Sequence, residues 1–258
     1  MRRQLALTIV VGGLLLTGCG SQKVADTSPD LTPVAAVKAA STATKAMGTA
    51  KMTAGVSMTI GTKKIDFSMT GPMSLDGLQA DLTGTIPGAS LGAKQDIGIH
   101  EILDHGTIYL RYDAKGMPTT WFKIDAGSAM AKKATGLGSG PGVEEQLKQL
   151  SAMAAITKVG AETLDGVEVT HYKGTLDGKT LSTMMSGLGA GASAPTSVPV
   201  DLWIDGQGRM AQLRESLTMT MASQSVTAVV SMKLSNWGIP VSITAPKGAV
   251  DFRTVLGK

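Results

Sequence analysis

Cysteine is almost missing from this chain: Cys19 is the single one in 258 residues. One thiol excludes an intrachain disulfide and any cysteine-based metal site. Charge is scarce at 17% of residues and aromatic rings are scarcer at 3%, whereas hydrophobic residues reach an ordinary 43%. That balance excludes wholesale disorder. Long apolar runs are lacking too. The one that approaches membrane length, Leu5 to Leu16, is too short to span a bilayer stably, which excludes a polytopic membrane protein. A strong charge of one sign is absent: the formal net charge is +4 and is not gathered into a basic stripe. The sequence pI near 9.1 is therefore no sign of nucleic-acid binding. No G-x-x-x-x-G-K-[ST] motif occurs, and the glycine-rich run from Gly136 to Gly142 fails the dinucleotide pattern.

What is present begins at the N-terminus. Arg2 and Arg3 precede the apolar run, the arrangement of a secretion signal. The run ends in Leu16-Thr17-Gly18-Cys19, which resembles the lipobox of bacterial lipoproteins. The resemblance implies a diacylglycerol on the Cys19 thiol, cleavage after Gly18 and acylation of the new amine. Two or three acyl chains hold a protein on a membrane for a long time. Residues 1–18 are thus expected as a leader, 19–30 as a polar tether and 31–258 as one domain on the outer face of a bacterial membrane. The tether reaches about 20 Å as a flexible chain.

Periodicity divides the rest. Leu31 to Met47 is expected as a helix, with Thr32 as N-cap, Pro33 in the first turn, Gly48 as the stop and Val34, Val37, Ser41, Thr44 and Met47 along one face. The period then drops to two. Ala50 to Ile60 and Ile65 to Met69 alternate apolar and polar residues around Gly61, the pattern of a hairpin. Further strands are expected at Leu75 to Ile86, Ile97 to Leu103, Thr107 to Tyr112 and Trp121 to Ile124. Helical spacing runs from Pro141 through Thr157, then strands return at Ala161 to Thr163 and Val167 to Gly174. Asp177 is expected to cap a short helix, Gly178 to Leu188, ahead of a loop reaching Thr196. The last block is the clearest: Val198 to Ile204, Ala211 to Met221 and Val226 to Leu234 each alternate. Evenly spaced strands with helices in few places predict an α+β chain, one antiparallel sheet with helices on one face.

Several motifs were weighed for chemistry. Gly88-Ala89-Ser90-Leu91-Gly92 matches the G-x-S-x-G of many esterases, with Asp165 and His171 later in the chain in the right order. Pro87 and the poor helix former that follows argue against it. His100-Glu101 and Asp104-His105 offer metal-ligand types, although a strand ending in a turn usually leaves such residues solvated, and no metal site is expected. Lys132-Lys133 read as a solvated pair. Trp203, on the polar side of its strand, marks either a membrane or partner contact or a ring covered by a terminal segment, and the second is favoured.

A family resemblance rests on longer phrases. The lipobox, the alanine-rich first helix, Thr119 to Ile124, Leu164 to Tyr172, and Val198 to Asp205 followed by Arg209 and Leu213 together resemble the actinobacterial LppX/LprG-type lipoproteins. These share a fold with the carriers LolA and LolB. The resemblance implies a strongly curved antiparallel half-barrel with helices packed on its concave face, and acyl chains held between. It implies a monomeric carrier of lipid or lipoglycan within the cell envelope, with no catalysis and no cofactor, and an envelope transporter as a possible partner. Methionine suits an adaptable cavity. Met58, Met69, Met219, Met221 and Leu217 on strands, with Met184, Met185 and Leu188 on the short helix, are the candidate lining. A tethered sensor or scaffold for a protein partner is the second reading, and a hydrolase using Ser90 the third.

Overall fold

The computed structural model describes residues 31–116, 119–125, 153–177, 196–221 and 224–256. The expected leader and tether, Lys132-Lys133, the glycine-rich loop, residues 141–152 of the helix expected from Pro141 and the expected helix Gly178 to Leu188 lie outside them.

The first element is the expected helix, α1 (Pro33–Ala46), with the Thr32 hydroxyl accepting from the Ala35 amide. Its buried face is Val37, Ala40 and Thr44, whereas Val34 is 58% exposed. Val37 and Thr44 of the expected face are thus buried, and Ala40 joins them in place of Val34. Twelve strands follow among the described residues: β1 (Thr49–Ile60), β2 (Lys63–Ser74), β3 (Gln79–Ile86), β4 (Ile97–Asp104), β5 (Thr107–Asp113), β6 (Phe122–Asp125), β7 (Ala154–Leu164), β8 (Val167–Asp177), β9 (Ser197–Asp205), β10 (Met210–Met221), β11 (Gln224–Ser235) and β12 (Val250–Asp251). A single-turn helix, α2 (Arg253–Leu256), comes last.

They form one open, curved sheet in the order β12-β6-β5-β4-β3-β2-β1-β11-β10-β9-β8-β7. Every pairing is antiparallel except the short β12–β6 contact, where the chain returns to cover an edge. Curvature has a local cause between β2 and β3. The ladder is interrupted at Gly71 and Pro72 and resumes at Met73 opposite Ala80. A side chain at Gly71 would strike the Asp81 carbonyl, and one at Gly84 would strike the Ser68 carbonyl and come within 2.8 Å of Met69. Glycine at such a crossing lets two backbones approach and the sheet bend.

Three expectations need correction. The strand expected from Leu75 begins at Gln79, because Asp76 accepts from the Leu78 amide and the Ser74 hydroxyl and makes residues 75–78 a turn. Of the helix expected from Pro141 through Thr157 only the last residues are described, and from Ala154 they are strand, β7, paired with β8. Edge strand β7 is largely exposed and so carries no alternation to read. Third, β12 and α2 follow a stretch with no periodicity and were not foreseen.

The β9–β10 turn explains one of the recurring phrases. The Asp205 carboxylate accepts from the Gln207 and Arg209 amides at 3.0 and 2.9 Å and pairs with the Arg209 guanidinium at 2.7 Å. That guanidinium lies over Trp237, 4.8 Å from the ring centre. Beyond the turn β10 is bulged between Met210 and Gln212, and the Met210 amide donates to the fully buried Thr44 hydroxyl at 2.8 Å. This bond ties α1 to the sheet. Thr44→Val keeps the volume and deletes the acceptor, and is expected to cost about 1–3 kcal/mol. A lower urea midpoint at constant m-value would register the loss; an unchanged midpoint would mean that the amide finds another acceptor.

Candidate functional site

Register places one side of the sheet in apolar hands. On β10, Leu213 and Leu217 stand opposite Met232 and Ala228 of β11, and Leu213 also opposite Leu202 of β9. The same side continues through Met52 and Ala54 of β1 to Met69 and Met73 of β2 and Ala80 and Leu82 of β3. Leu213, Leu217, Met232, Ala228, Leu202, Met69, Met73, Ala80 and Leu82 share one buried cluster with Val37 and Ala40 of α1, and the partly buried Met52 packs against it. Burial is uneven along the strands. Ala50 and Met73 are buried, whereas Val56, Met58, Ile60, Ile65 and Phe67, toward the β1–β2 turn, are only half-buried. The apolar side is thus closed near α1 and more accessible at the hairpin end.

Of the expected lining residues, Met69 and Leu217 are buried on this side and Met58 half-buried beside Ile65. Met219 and Met221 continue β10 in register with Val226 and Gln224. Met184, Met185 and Leu188 lie outside the described residues.

Two acidic residues lie on this side: Glu101, read from the sequence only as a metal-ligand type beside His100, and Glu215, which that reading does not single out. Glu215 sits between Leu213 and Leu217, in register with Val200 of β9 and Val230 of β11, and is 7% exposed. No donor among the described residues is paired with its carboxyl, and burial pushes it above the usual glutamate range. The penalty for burying its charge is therefore absent below the ordinary glutamate pKa and grows as pH rises from there to the raised value, so stability falls across that window. Glu101 of β4 stands opposite Leu82 and Leu110 and is likewise buried. Burial first, and then the Glu101 charge, push the Tyr112 hydroxyl up. A break in an alternation, one glutamate among valines and leucines, was the signal to follow.

The opposite side is polar. His100 turns here while Glu101 turns to the apolar side, because adjacent strand residues face opposite ways. They therefore share no metal: His100 meets Asp81 at 2.6 Å and the Trp121 ring edge at 4.8 Å between centres. His105 pairs with its neighbour Asp104. Among the described residues no cluster of three or more His, Cys, Asp or Glu has metal-holding geometry. A recess of about 560 Å³ opens on this side too, with Ser57, Asp66, Ser68, Gln212, Arg214 and Ser231 in its walls. The Ser57 hydroxyl, then Lys64, hold the Asp66 carboxyl below its usual range.

Trp203 is covered, as expected, though not by a terminal segment. Its ring stacks on His171 with centres 4.5 Å apart, and its indole N–H donates to Glu162 at 2.8 Å. Val169, Ala211 and Leu164 complete the cluster. His171 is held by Glu162 and Asp201, one on each ring nitrogen, both at 2.7 Å. The G-x-S-x-G serine, Ser90, lies in a single 3-10 turn between β3 and β4, six strand steps from the strand of His171. Along the sheet that is about 29 Å at ~4.8 Å per strand. Ser90 and His171 do not form a catalytic pair.

A model of the LppX_LprAFG lipoprotein family matches residues 32–243. A 31.2 kDa protein of Streptomyces griseus is 30% identical over 125 residues, which are 44% of this chain and 40% of that protein. LprF of Mycobacterium tuberculosis, named as a candidate diacylated glycolipid transporter, is 28% identical over 89 residues, 34% of this chain and 33% of LprF. The matched stretches thus span well under two thirds of these relatives. The crystal structure of lipoprotein LppX of Mycobacterium tuberculosis superposes with a TM-score of 0.50 at 16% identity, covering 84% of this chain and 100% of that one. At that identity the likeness is one of fold.

Proposed function

The chain belongs to the LppX_LprAFG lipoprotein family, and from that premise we propose that it holds the acyl chains of a lipid or lipoglycan against the apolar side of its sheet. It carries them within the cell envelope while tethered through acylated Cys19 to the outer face of the membrane. The observation that carries this reading is the apolar side itself, continuous over several strands and only half-buried at the β1–β2 end. An ordinary sandwich core is closed all round, whereas an acyl site needs an apolar wall and an opening. The curved sheet turns this side inward, and helices, α1 among them, cover the concavity. Met58, Met69, Leu217, Met219 and Met221 line it from the strands and Met184, Met185 and Leu188 from the helix side. Methionines there re-pack around chains of different length. The diacylated glycolipid in the name of LprF agrees with this ligand class.

The test is mass spectrometry of organic extracts from residues 20–258 purified from an actinobacterial host. Acyl species at near-stoichiometric amounts are expected, and Leu217→Trp, which fills the apolar side, is expected to remove most of them. A clean extract that stays clean after incubation with envelope lipids would end the carrier reading in favour of a tethered scaffold.

A further inference from the structure

Glu215 is the sixth of the twelve residues of β10, a central strand, and every same-side neighbour that register gives it is aliphatic: Leu213, Leu217, Val200 and Val230. It is more than nine-tenths buried. Lys38 and Lys45 of α1 are exposed, and among the described residues no cation or hydroxyl is paired with the Glu215 carboxyl. An unpartnered buried carboxyl costs stability, and an aliphatic side chain of similar volume would serve a plain core better. Structural roles for a buried acid need a partner to position. Catalytic roles need a nucleophile, a base or a metal beside it, and its neighbours in register supply none of them. What remains is a partner that arrives with the ligand.

We propose that Glu215 is the polar anchor of the acyl-binding side, its carboxyl hydrogen-bonding the linkage of an ester-linked acyl lipid that bears a free hydroxyl. The inference rests on the carrier reading above and narrows its ligand class. In its uncharged form a carboxyl both donates, here to an ester carbonyl, and accepts, here from a hydroxyl. In an apolar surrounding each such bond discriminates strongly against a ligand that lacks the matching group. Bare hydrocarbon would leave the anchor unpartnered, so chains joined to a glycerol-like linkage are selected over unfunctionalised ones. The anchor also fixes depth, because the linkage stops at β10 while the chains run on toward other methionine and leucine positions.

The experiment is photolabelling of the mature, lipidated protein in detergent micelles with two diazirine probes, a diacylglycerol and a long-chain alkane. Wild type and Glu215→Gln, which keeps a donor and an acceptor, are expected to label about tenfold more efficiently with diacylglycerol than Glu215→Leu. Alkane labelling of Glu215→Leu is expected to equal or exceed that of wild type. Thermal melts of the ligand-free proteins separate anchoring from folding: Glu215→Leu is expected to melt no lower than wild type. Equal diacylglycerol labelling of wild type and Glu215→Leu would overturn the anchor and leave the carrier intact, as would a lower melting temperature for Glu215→Leu. Failure of wild type to label with either probe would remove the carrier reading and the anchor together.

Discussion

A Gly71→Ala protein is expected to lose about 3 kcal/mol of stability, a large part of what a domain of this size has. The added methyl would enter the van der Waals shell of the Asp81 carbonyl oxygen, with the Asp81 carbonyl carbon 2.9 Å away and the Leu82 Cα 3.2 Å away. All three are backbone atoms, so no rotamer change relieves the contact. Relief requires β2 and β3 to separate where their ladder is already interrupted, and the bend of the sheet opens with them. Gly61→Ala is the control. That glycine has φ of +59° in the β1–β2 turn with nothing within 4 Å of an added Cβ. Its replacement costs only the left-handed conformation, about 1 kcal/mol. Urea denaturation of the two variants should show a midpoint shift severalfold larger for Gly71. Equal shifts would mean that the bend originates elsewhere. The prediction also bears on function, because a flatter sheet has no concavity in which to hold chains. Gly71→Ala protein that stays folded is expected to retain less lipid.

How far the fold could be read depended on whether each strand shows a dry side and a wet side. Strands β1, β9, β10 and β11 lie inside the sheet with one side apolar, and their alternation marks them nearly to the residue, whereas β2 runs five residues past the expected Met69 through Gly71 and Pro72. Edge strand β7 is exposed on most residues, and without a dry side its residues offered no period, so helical spacing won by default. The turn at 75–78 was lost for a different reason. Leu75 is buried and looks like strand continuation, while the deciding interaction is the Asp76 carboxylate on the Leu78 amide. Helix α1 is legible in extent and partly in facing: Val37 and Thr44 of the expected face are buried, whereas Ala40, which carries little hydropathy signal, replaces the exposed Val34.

The site was legible as a surface and illegible as chemistry. Alternation and methionine content picked out the apolar side, and register then joined Met69, Leu217 and Met58 to it. Glu215 is not legible as a site residue because it breaks the pattern that makes its strand recognisable. The same habit misread the histidines. His100 and Glu101 look like a ligand pair in sequence, yet a strand sends neighbours to opposite sides. His171 was weighed for a triad with Ser90, whereas its partners come from β7 and β9, brought together by pairing that spacing in the chain does not encode.

His171→Leu is expected to cost about 3 kcal/mol, more than its lost packing explains. The ring is buried, with its two nitrogens facing carboxylate oxygens of Glu162 and Asp201 at 2.7 Å each. A carboxylate only accepts, so both bonds form when both ring nitrogens donate. Deleting the ring leaves two acids 2.7 Å from a vanished donor, one of them still carrying the Trp203 indole N–H and the other with Lys173 3.8 Å away. Partial exposure of the two acids, 43% and 24% at the side chain, keeps the cost below that of a fully buried pair. Acid should weaken the same network. The Trp203 bond first, and then His171, hold the Glu162 carboxyl below its usual range, so its contribution is present above the ordinary glutamate pKa and lost as pH falls through the lowered value. Denaturation midpoints across the acid range should therefore converge for wild type and Glu162→Gln as pH drops. A His171→Leu midpoint equal to wild type at neutral pH would refute the account. The position of these residues gives the network its purpose. They join β7, β8 and β9 at one end of the sheet, where no further strand among the described residues supplies pairing, and without them the apolar side behind Leu202 and Val200 has one loose wall.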